Sequence, residues 1–264
     1  MSTFGPDGTI DPGRGVIATM LGKKRSGKSK MGLLMFKQYP GDRVVIDVAG
    51  DDGPIGPDVV EIRGTLGDGA IPDRWPSHLR RSHPDTGAPL PMILRYVPDA
   101  GSKTFLDDMD AVVALALHHG ECAILVHEIG VLAPANKTRP HTTRLLMHNR
   151  HNGATTAFFC GPRSQNIDPL ILQQSDLVYT FEMQGARDRQ RIAENIGWDV
   201  QDFHRACLAL GPHEYLRFDA NEPKPEGNRP DNRLLHFPAL DPDIIADVDA
   251  WAAGRRPAAV KGAL

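Results

Sequence analysis

The chain has 264 residues, of which 41% are hydrophobic and 24% are charged, a composition typical of a folded globular protein. Its formal net charge of −3 excludes binding of nucleic acid through a globally basic surface, so such a role would need local basic loops. The 3 cysteines stand far apart in the sequence, which argues against a disulfide framework and against a zinc site. No apolar run approaches the roughly 20 residues of a membrane-spanning helix, which argues against a membrane anchor. Together these features favour a cytoplasmic protein.

In chain order, the sequence predicts an arm, one large domain and a tail. Residues 1–14 are rich in Gly, Pro and Asp and are expected to form a flexible arm, and residues 254–264 a flexible, mildly basic tail. The domain spans residues 15–253. Within it, residues 64–91 carry many Gly and Pro residues and are expected to form a long surface excursion.

Short apolar runs alternate with segments of helical spacing throughout this domain. The predicted strands are 16–21, 43–48, 59–62, 92–97, 123–126, 155–159, 177–181, 215–218 and 234–237. The predicted helices are 30–38, 105–118, 139–151, 168–174, 187–196 and 200–210. This alternation indicates an α/β fold with a mostly parallel sheet flanked by helices, and the last two strands a C-terminal β-hairpin.

Between the first strand and the first helix lies G-K-K-R-S-G-K-S, which matches the phosphate-binding pattern G-x-x-x-x-G-K-[ST] without a mismatch. The glycines let the backbone wrap phosphates with its N–H groups pointing inward, and the helix adds its N-terminal dipole. We expect Lys28 to contact the β- and γ-phosphates of ATP and the hydroxyl of Ser29 to bind Mg²⁺. The alternative is a glycine-rich turn with chance lysines. The predicted nucleotide contacts are Gly22, Lys23, Lys24, Arg25, Ser26, Gly27, Lys28, Ser29 and Lys30.

A second acid is expected at the tip of a neighbouring strand, and the segment A-I-L-V-H-E supplies it. Glu128 is placed to polarise the attacking water. His127 stands where an acid that holds Mg²⁺ through water would be expected, and imidazole is a poor ligand for a metal that prefers oxygen. His127 therefore either hydrogen-bonds Ser29 or a metal-bound water, or is purely structural.

These segments together resemble the FtsK–HerA superfamily of DNA-pumping P-loop ATPases, and in style its viral packaging ATPases and the zonula occludens toxin-like phage ATPases. The resemblance covers about residues 16–218. Besides the glycine-lysine motif, it rests on three passages: V-V-I-D-V-A-G-D at 44–51, I-L-V-H-E at 124–128 and H-N-R-H-N-G-A-T-T-A-F-F at 148–159. It implies a RecA-like core that works as a homo-oligomeric ring.

The resemblance also implies roles for three residues outside the motif. Asp47 matches an acid at the nucleotide, and Gln165 is a candidate γ-phosphate sensor, although Cys160 occupies the place where that glutamine normally stands. Arg150 matches an arginine finger that one subunit of the ring inserts into the site of the next. The alternative for Arg150 is an ion pair at a helix end. Arg144 and Arg163 are the other candidate fingers.

Other charged groups carry less specific signals. A basic stretch after the second acid either touches DNA phosphates in a central channel or is a solvated loop. Its members are Lys137, Arg139, His141 and Arg144. Three histidines around one helix favour a helix face over zinc, because no carboxylate or cysteine completes a ligand set. They are His141, His148 and His151. An ordinary charged helix face is predicted for Arg187, Arg189 and Arg191.

The phosphate-binding motif and the family resemblance together imply an ATP-hydrolysing motor that translocates double-stranded DNA independently of its sequence, as the genome-packaging ATPase of a virus or related mobile element. It would work as a ring, such as a hexamer, in the host cytoplasm, with a capsid or portal partner and no membrane. A phage assembly or export ATPase is an alternative, but a hydrophobic segment expected after its core is missing from 218–264. A nucleotide-dependent switch with weak hydrolysis and a small-molecule kinase are further alternatives, and DNA-stimulated hydrolysis separates the motor from both.

Overall fold

The computed structural model describes residues 13–50, 54–69, 71–135, 137–149, 154–225 and 231–254. A nine-stranded sheet forms its centre, with the strand order β3-β4-β2-β5-β6-β1-β7-β8-β9. The strands are β1 (Ile17–Leu21), β2 (Asp42–Ile46), β3 (Val59–Arg63), β4 (Ile93–Val97), β5 (Cys122–Val126), β6 (Thr156–Gly161), β7 (Leu177–Phe181), β8 (Tyr215–Asp219) and β9 (Leu234–Phe237).

Seven of these strands run parallel, and β8 and β9 close the sheet as an antiparallel hairpin beside β7. In β1 and β5 every residue is buried, as expected for parallel strands covered on both faces. The register places Ile17 opposite Ala157 of β6 and Ala18 opposite Leu177 of β7. The strand that leads into the phosphate-binding motif therefore lies between β6 and β7, inside the parallel part of the sheet.

Helices cover both faces of the sheet. They are α1 (Lys28–Gln38), α2 (Phe105–His119), α3 (Ile129–Leu132), α4 (Pro140–His148), α5 (Pro169–Gln174), α6 (Ala186–Ile196), α7 (Val200–Leu208) and α8 (Pro242–Ala252). Because side chains alternate along a strand, β2 contributes to two cores: Val44 and Ile46 pack on one face and Val45 on the other. Helices α1 and α8 lie on the second face, where Phe36 meets Trp251 edge to face at 6.3 Å between ring centroids.

The segment 64–91 contains two short 3₁₀ turns, Leu66–Asp68 and Ser77–Leu79. It is anchored to the sheet, because Ile71 and Trp75 are buried and the Trp75 ring stacks on His119 at 4.3 Å. His119 in turn lies 2.8 Å from Asp42, whose carboxylate also pairs with Arg80 and accepts a hydrogen bond from the Met92 N–H. This cluster fixes the excursion at the amino end of β2.

The predicted fold class is confirmed: a mostly parallel sheet between helices, with the RecA-like arrangement of a P-loop NTPase and a C-terminal hairpin. The three cysteines, Cys122, Cys160 and Cys207, are buried free thiols as the sequence predicted, and burial raises the pKa of each to about 12. The prediction missed α8 altogether. It also extended the helix 139–151 too far, since α4 ends at His148. Within the described ranges, no helix is both long enough and apolar enough to span a membrane.

Candidate nucleotide-binding site

The carboxyl ends of parallel strands meet at one edge of the sheet, and the predicted site residues that follow β1, β2, β5 and β6 lie there. The phosphate-binding loop follows β1, and His127 and Glu128 follow β5. Asp47 follows β2, and Arg163 follows β6. The sheet topology thus brings to one edge residues that are more than a hundred positions apart in the sequence.

The loop between β1 and α1 is fastened to the strands on either side of β1. The Gly22 N–H donates to the Gly161 carbonyl at 3.3 Å, and the Lys23 N–H donates to the Glu182 carbonyl at 2.9 Å. The side chains of Lys23 and Glu182 also form an ion pair. These contacts hold the start of the loop at the ends of β6 and β7.

Two positions in the loop require glycine. Gly27 has φ of +107°, a backbone conformation that residues with a Cβ rarely adopt. At Gly22 a Cβ would lie 2.7 Å from the Phe181 Cβ and 2.7 Å from the Ser26 Oγ, which is closer than real contacts. The backbone can therefore turn tightly enough to present its N–H groups to a phosphate.

The side chains of this loop fit a bound phosphate chain. The Lys28 side chain is buried, and its Nζ donates a long hydrogen bond of 3.4 Å to the Lys23 carbonyl. The Ser26 Oγ is also buried and has no hydrogen-bond partner among the described residues. A buried ammonium group held by one weak contact and a buried hydroxyl without a partner are both satisfied by phosphate oxygens.

Glu128 is half-buried at the tip of β5, within electrostatic range of Lys28. Burial raises the pKa of Glu128 above its ordinary value, and the positive charge of Lys28 opposes this shift. A carboxylate with a raised pKa accepts a proton from water more readily than an exposed one. The arrangement suits the predicted role, with the cation on the phosphates and the base beside them.

A magnesium ion at this site would need few protein ligands. Among the described residues, no group of three or more His, Cys, Asp or Glu side chains could hold a metal ion. The hydroxyl of Ser29, phosphate oxygens and water suffice for Mg²⁺, which keeps several waters when it binds with a nucleotide. His127 is partly exposed between Val126 and Glu128, and its predicted link to Ser29 or a metal-bound water stays a prediction.

Asp47 is engaged elsewhere. Its Oδ2 accepts hydrogen bonds from Arg95 at 2.6 and 3.0 Å, and its Oδ1 accepts one from the Gly50 N–H at 3.2 Å. Arg95 is itself buried and reaches Glu61 at 2.8 Å. A nucleotide contact by Asp47, as the resemblance implied, would have to compete with this buried guanidinium.

A basic cleft of about 900 Å³ opens beside the start of the loop. It is lined by Lys23, Lys24, Arg163 and Gln165 and by the beginning of α6. The Gln165 N–H donates to Asp188 at 3.1 Å, which fixes the loop after β6 next to the phosphate site. The candidate sensor and one candidate finger therefore lie in the subunit's own cleft.

The other candidate fingers give less information. Arg150 lies outside the described residues, as does His151. Arg144 is exposed on α4. Of the basic stretch after the second acid, Lys137 is exposed, whereas Arg139 pairs with Asp107 at 3.2 Å.

One charge prediction was wrong. Arg189 does not belong to a solvated helix face, since it is buried and donates to the Met183 and Gln184 carbonyls and to His204. Its neighbours Arg187 and Arg191 fit that description better, although Arg191 also donates to the Ile167 carbonyl.

Sequence reasoning missed one wall of the site. Lys30, expected at the nucleotide, pairs with Asp249 of α8. A second pocket, of about 350 Å³, is formed by residues 25–30 together with Phe181, His213, Leu240 and Ile245. The sequence did carry a signal for α8: Asp241 followed by Pro242 is a helix start, and the Asp241 side chain accepts from the Asp243 N–H at 2.7 Å.

The sequence matches no protein-family model, and no curated protein matches it either. Solved structures do match. The genome packaging NTPase B204 from Sulfolobus turreted icosahedral virus 2, in complex with ATP-gammaS, superposes with a TM-score of 0.60 at 16% identity, over 88% of this chain and 100% of that chain. The DNA-packaging ATPase B204 from Sulfolobus turreted icosahedral virus gives a TM-score of 0.59 at 17% identity, over 87% and 100% of the two chains.

A weaker match is the N-terminal domain of zonular occludens toxin from Neisseria meningitidis, with a TM-score of 0.37 at 15% identity, over 63% of this chain and 76% of that chain. The two B204 proteins are viral packaging ATPases, one of the kinds of protein that the sequence resemblance named. At these identities the likeness to B204 establishes the fold: this chain has the P-loop NTPase fold of a viral genome-packaging NTPase.

Proposed function

We propose that this chain is an ATP-hydrolysing motor that translocates double-stranded DNA, working as a genome-packaging ATPase of a virus or related mobile element. Lys28 would bind the β- and γ-phosphates, Ser29 the Mg²⁺ ion, and Glu128 would activate the attacking water. Gln165 would sense the γ-phosphate from the cleft beside the loop. The active form would be a homo-oligomeric ring, such as a hexamer.

The observation that carries this proposal is the meeting of Lys28 and Glu128 at the carboxyl edge of the sheet. A buried lysine in a glycine loop fits a phosphate chain, and a half-buried carboxylate within its electrostatic range fits the activation of water. The fold likeness to two packaging ATPases over 87–88% of this chain supports the coupling of that chemistry to DNA.

The experiment that tests the motor is ATP turnover with and without double-stranded DNA of mixed sequence. We expect DNA to raise turnover, and the stimulation to weaken steeply with salt because a motor grips phosphates rather than bases. Lys28→Ala is the control and should abolish hydrolysis in both conditions, since it removes the buried cation of the cradle. If DNA does not change ATP turnover at any salt concentration, the proposal of a DNA motor is contradicted. If Lys28→Ala hydrolyses ATP at the parental rate, the assignment of the phosphate site is contradicted.

The ring is tested through Arg150. The segment that contains it leads into β6, so it stands before the amino end of a strand whose carboxyl end lies at the site. An arginine at that end would reach a neighbouring subunit's nucleotide better than its own. Finger arginines contribute about 10³–10⁵-fold to the rate where measured, so Arg150→Ala should bind ATP but lose turnover.

Mixing Arg150→Ala with Lys28→Ala gives the decisive measurement. Each variant is inactive alone, but a mixed ring contains interfaces that pair an intact cradle with an intact finger, and these should recover part of the activity. No recovery, with co-assembly shown by cross-linking, would contradict a finger in trans. Normal turnover of Arg150→Ala alone would contradict it as well and would turn attention to Arg144 and Arg163.

A nucleotide-dependent switch with weak hydrolysis is the second candidate. It is favoured by His127 at the place where an acid is expected and by the ion pair that occupies Asp47. A switch would release product slowly whether or not DNA is present, so the turnover experiment above separates the two functions.

A further inference from the structure

The small pocket beside the phosphate loop has two unlike walls. One is the loop itself and the first turn of α1, from residue 25 to residue 30. The other is made by Phe181, His213, Leu240 and Ile245, of which three are apolar. Phe181 lies against the loop, since its ring would be 3.2 Å from a Cβ on Gly27. A pocket that has an apolar outer wall and shares residues 25–30 with the phosphate cradle is a continuation of that cradle.

The outer wall is held in place by α8. Asp249 of this helix pairs with Lys30, and Asp247 pairs with Lys37, so two ion pairs join α8 to α1. Val248 and Trp251 are buried in the contact between the two helices. Because Leu240 and Ile245 lie just before and within this docked helix, they are fixed beside the loop.

His213 is held in a strained conformation. Its φ is +64°, in the left-handed region that residues other than glycine adopt at a cost. The turn is clamped by Glu214, which accepts from the Gly211 N–H at 2.8 Å and lies 2.8 Å from His236. The result brings the His213 ring to within 3.9 Å of a Cβ on Gly27. Strain that the surroundings enforce is typical of ligand sites.

We propose that this pocket binds the base of the nucleotide, with the C-terminal segment from Leu240 to α8 as its outer wall. The inference rests on the proposed function, because it takes the triphosphate to lie in the cradle. A nucleobase is flat with apolar faces, which suits a pocket lined by Leu240, Ile245 and the edge of the buried Phe181 ring. Beyond the loop, His213 is the one polar side chain among the described lining residues. With His213 as the one polar side chain that the structure describes on its outer wall, the proposed pocket holds the base mainly by its apolar faces and accepts both adenine and guanine.

The test is isothermal titration calorimetry of the full chain with three probes: AMPPCP, its guanine counterpart GMPPCP, and tripolyphosphate. The variant Ile245→Asn places a polar group in the pocket without adding charge. Its matched control is Ile244→Asn, the neighbouring residue on the same helix, which is 41% exposed. We expect Ile245→Asn to weaken AMPPCP and GMPPCP by about 10-fold and tripolyphosphate by less than about 2-fold, and Ile244→Asn to change none of them.

Leu240→Ala serves as a second variant if Ile245→Asn loses tripolyphosphate binding, which would show that its fold had failed. The inference is wrong if AMPPCP and tripolyphosphate bind the parent equally well, or if their affinity ratio in the folded variant equals that of the parent. Binding of AMPPCP more than about 100-fold tighter than GMPPCP would contradict a pocket that only stacks the base. Failure of the proposed function appears differently, as tripolyphosphate binding that survives Lys28→Ala or as turnover that DNA does not change.

Discussion

Glu128 and Asp47 follow β5 and β2, which lie side by side in the sheet, so both carboxylates stand at its carboxyl edge. Their surroundings differ. Glu128 is half-buried with the charge of Lys28 in range, and its pKa is raised by burial. Asp47 is almost completely buried, and its Oδ2 is bound by Arg95 through two hydrogen bonds.

The difference teaches that an acid at a strand end gains its role from its partner. A carboxylate bound to a buried guanidinium through two hydrogen bonds is already occupied, so it contributes to the structure. A half-buried carboxylate whose pKa is raised by burial can take up a proton, which is what the proposed role of Glu128 requires. The two acids also differ in their distance from the phosphate-binding loop, which follows β1. One strand separates β1 from β5, which precedes Glu128, whereas two strands separate β1 from β2, which precedes Asp47.

The largest effect is expected for Glu128→Gln, which tests whether Glu128 acts as a base while Asp47 does not. The amide keeps the size of the side chain but cannot accept a proton, so we expect ATP binding to persist and turnover to fall by about 10²–10⁴-fold. Single-turnover hydrolysis and nucleotide binding, measured on the same preparation, check this. Turnover within a few-fold of the parent would remove Glu128 from the chemistry.

The pH dependence gives a second readout of the same residue. A base works only when deprotonated, so activity is lost as pH falls through its pKa. Because burial raises the pKa of Glu128, this loss should begin at a higher pH than for an ordinary carboxyl group. The acidic limb of the turnover profile should be absent from the residual activity of Glu128→Gln.

The partner of Asp47 is tested by Arg95→Leu. This change leaves the buried carboxylate of Asp47 without its cation, which costs about 3–5 kcal/mol of stability. Urea unfolding measures the loss, and Arg95→Lys should restore part of it. The control is Arg205→Ala, since the Arg205–Asp202 pair is exposed and should contribute at most about 1 kcal/mol.

Asp47→Asn completes this test. If Asp47 serves the structure, the variant loses stability while turnover stays within a few-fold of the parent. If Asp47 contacts the nucleotide, as the family resemblance implied, ATP affinity falls in Asp47→Asn but not in Arg95→Lys.

Local patterns were enough to predict the sheet, most helices and the phosphate loop. The apolar runs of β1 and β5 and the glycine-lysine motif between a strand and a helix are properties of short segments. The pairing of Asp47 with Arg95, 48 residues apart, is not such a property. A signal was nevertheless present, because a charged residue in the middle of a buried strand needs a partner of opposite charge.

The outer wall of the nucleotide pocket was missed for the same reason. Leu240 and Ile245 carry no motif, and their place beside the loop follows from the docking of α8 on α1, more than 200 residues away in the chain. His213 was missed because its proposed role depends on a left-handed turn, and the contact between Glu214 and His236 that clamps this turn joins the residue before β8 to β9. Contacts between distant segments set these features, and periodicity does not encode them.

The smallest expected effect concerns His127, which directly precedes Glu128 in the chain. His127→Asp puts an oxygen ligand where imidazole stands now, and Mg²⁺ prefers oxygen. We therefore expect turnover to stay the same or rise by a few-fold, and the Mg²⁺ concentration for half-maximal turnover to fall. His127→Asn is the matched control, because its amide has nearly the same size without the charge. A sharp loss of turnover in His127→Asp, with normal urea unfolding, would show that the imidazole has a specific role that a carboxylate cannot fill. In that case His127 would determine the role of Glu128, as the ion pair with Arg95 determines that of Asp47.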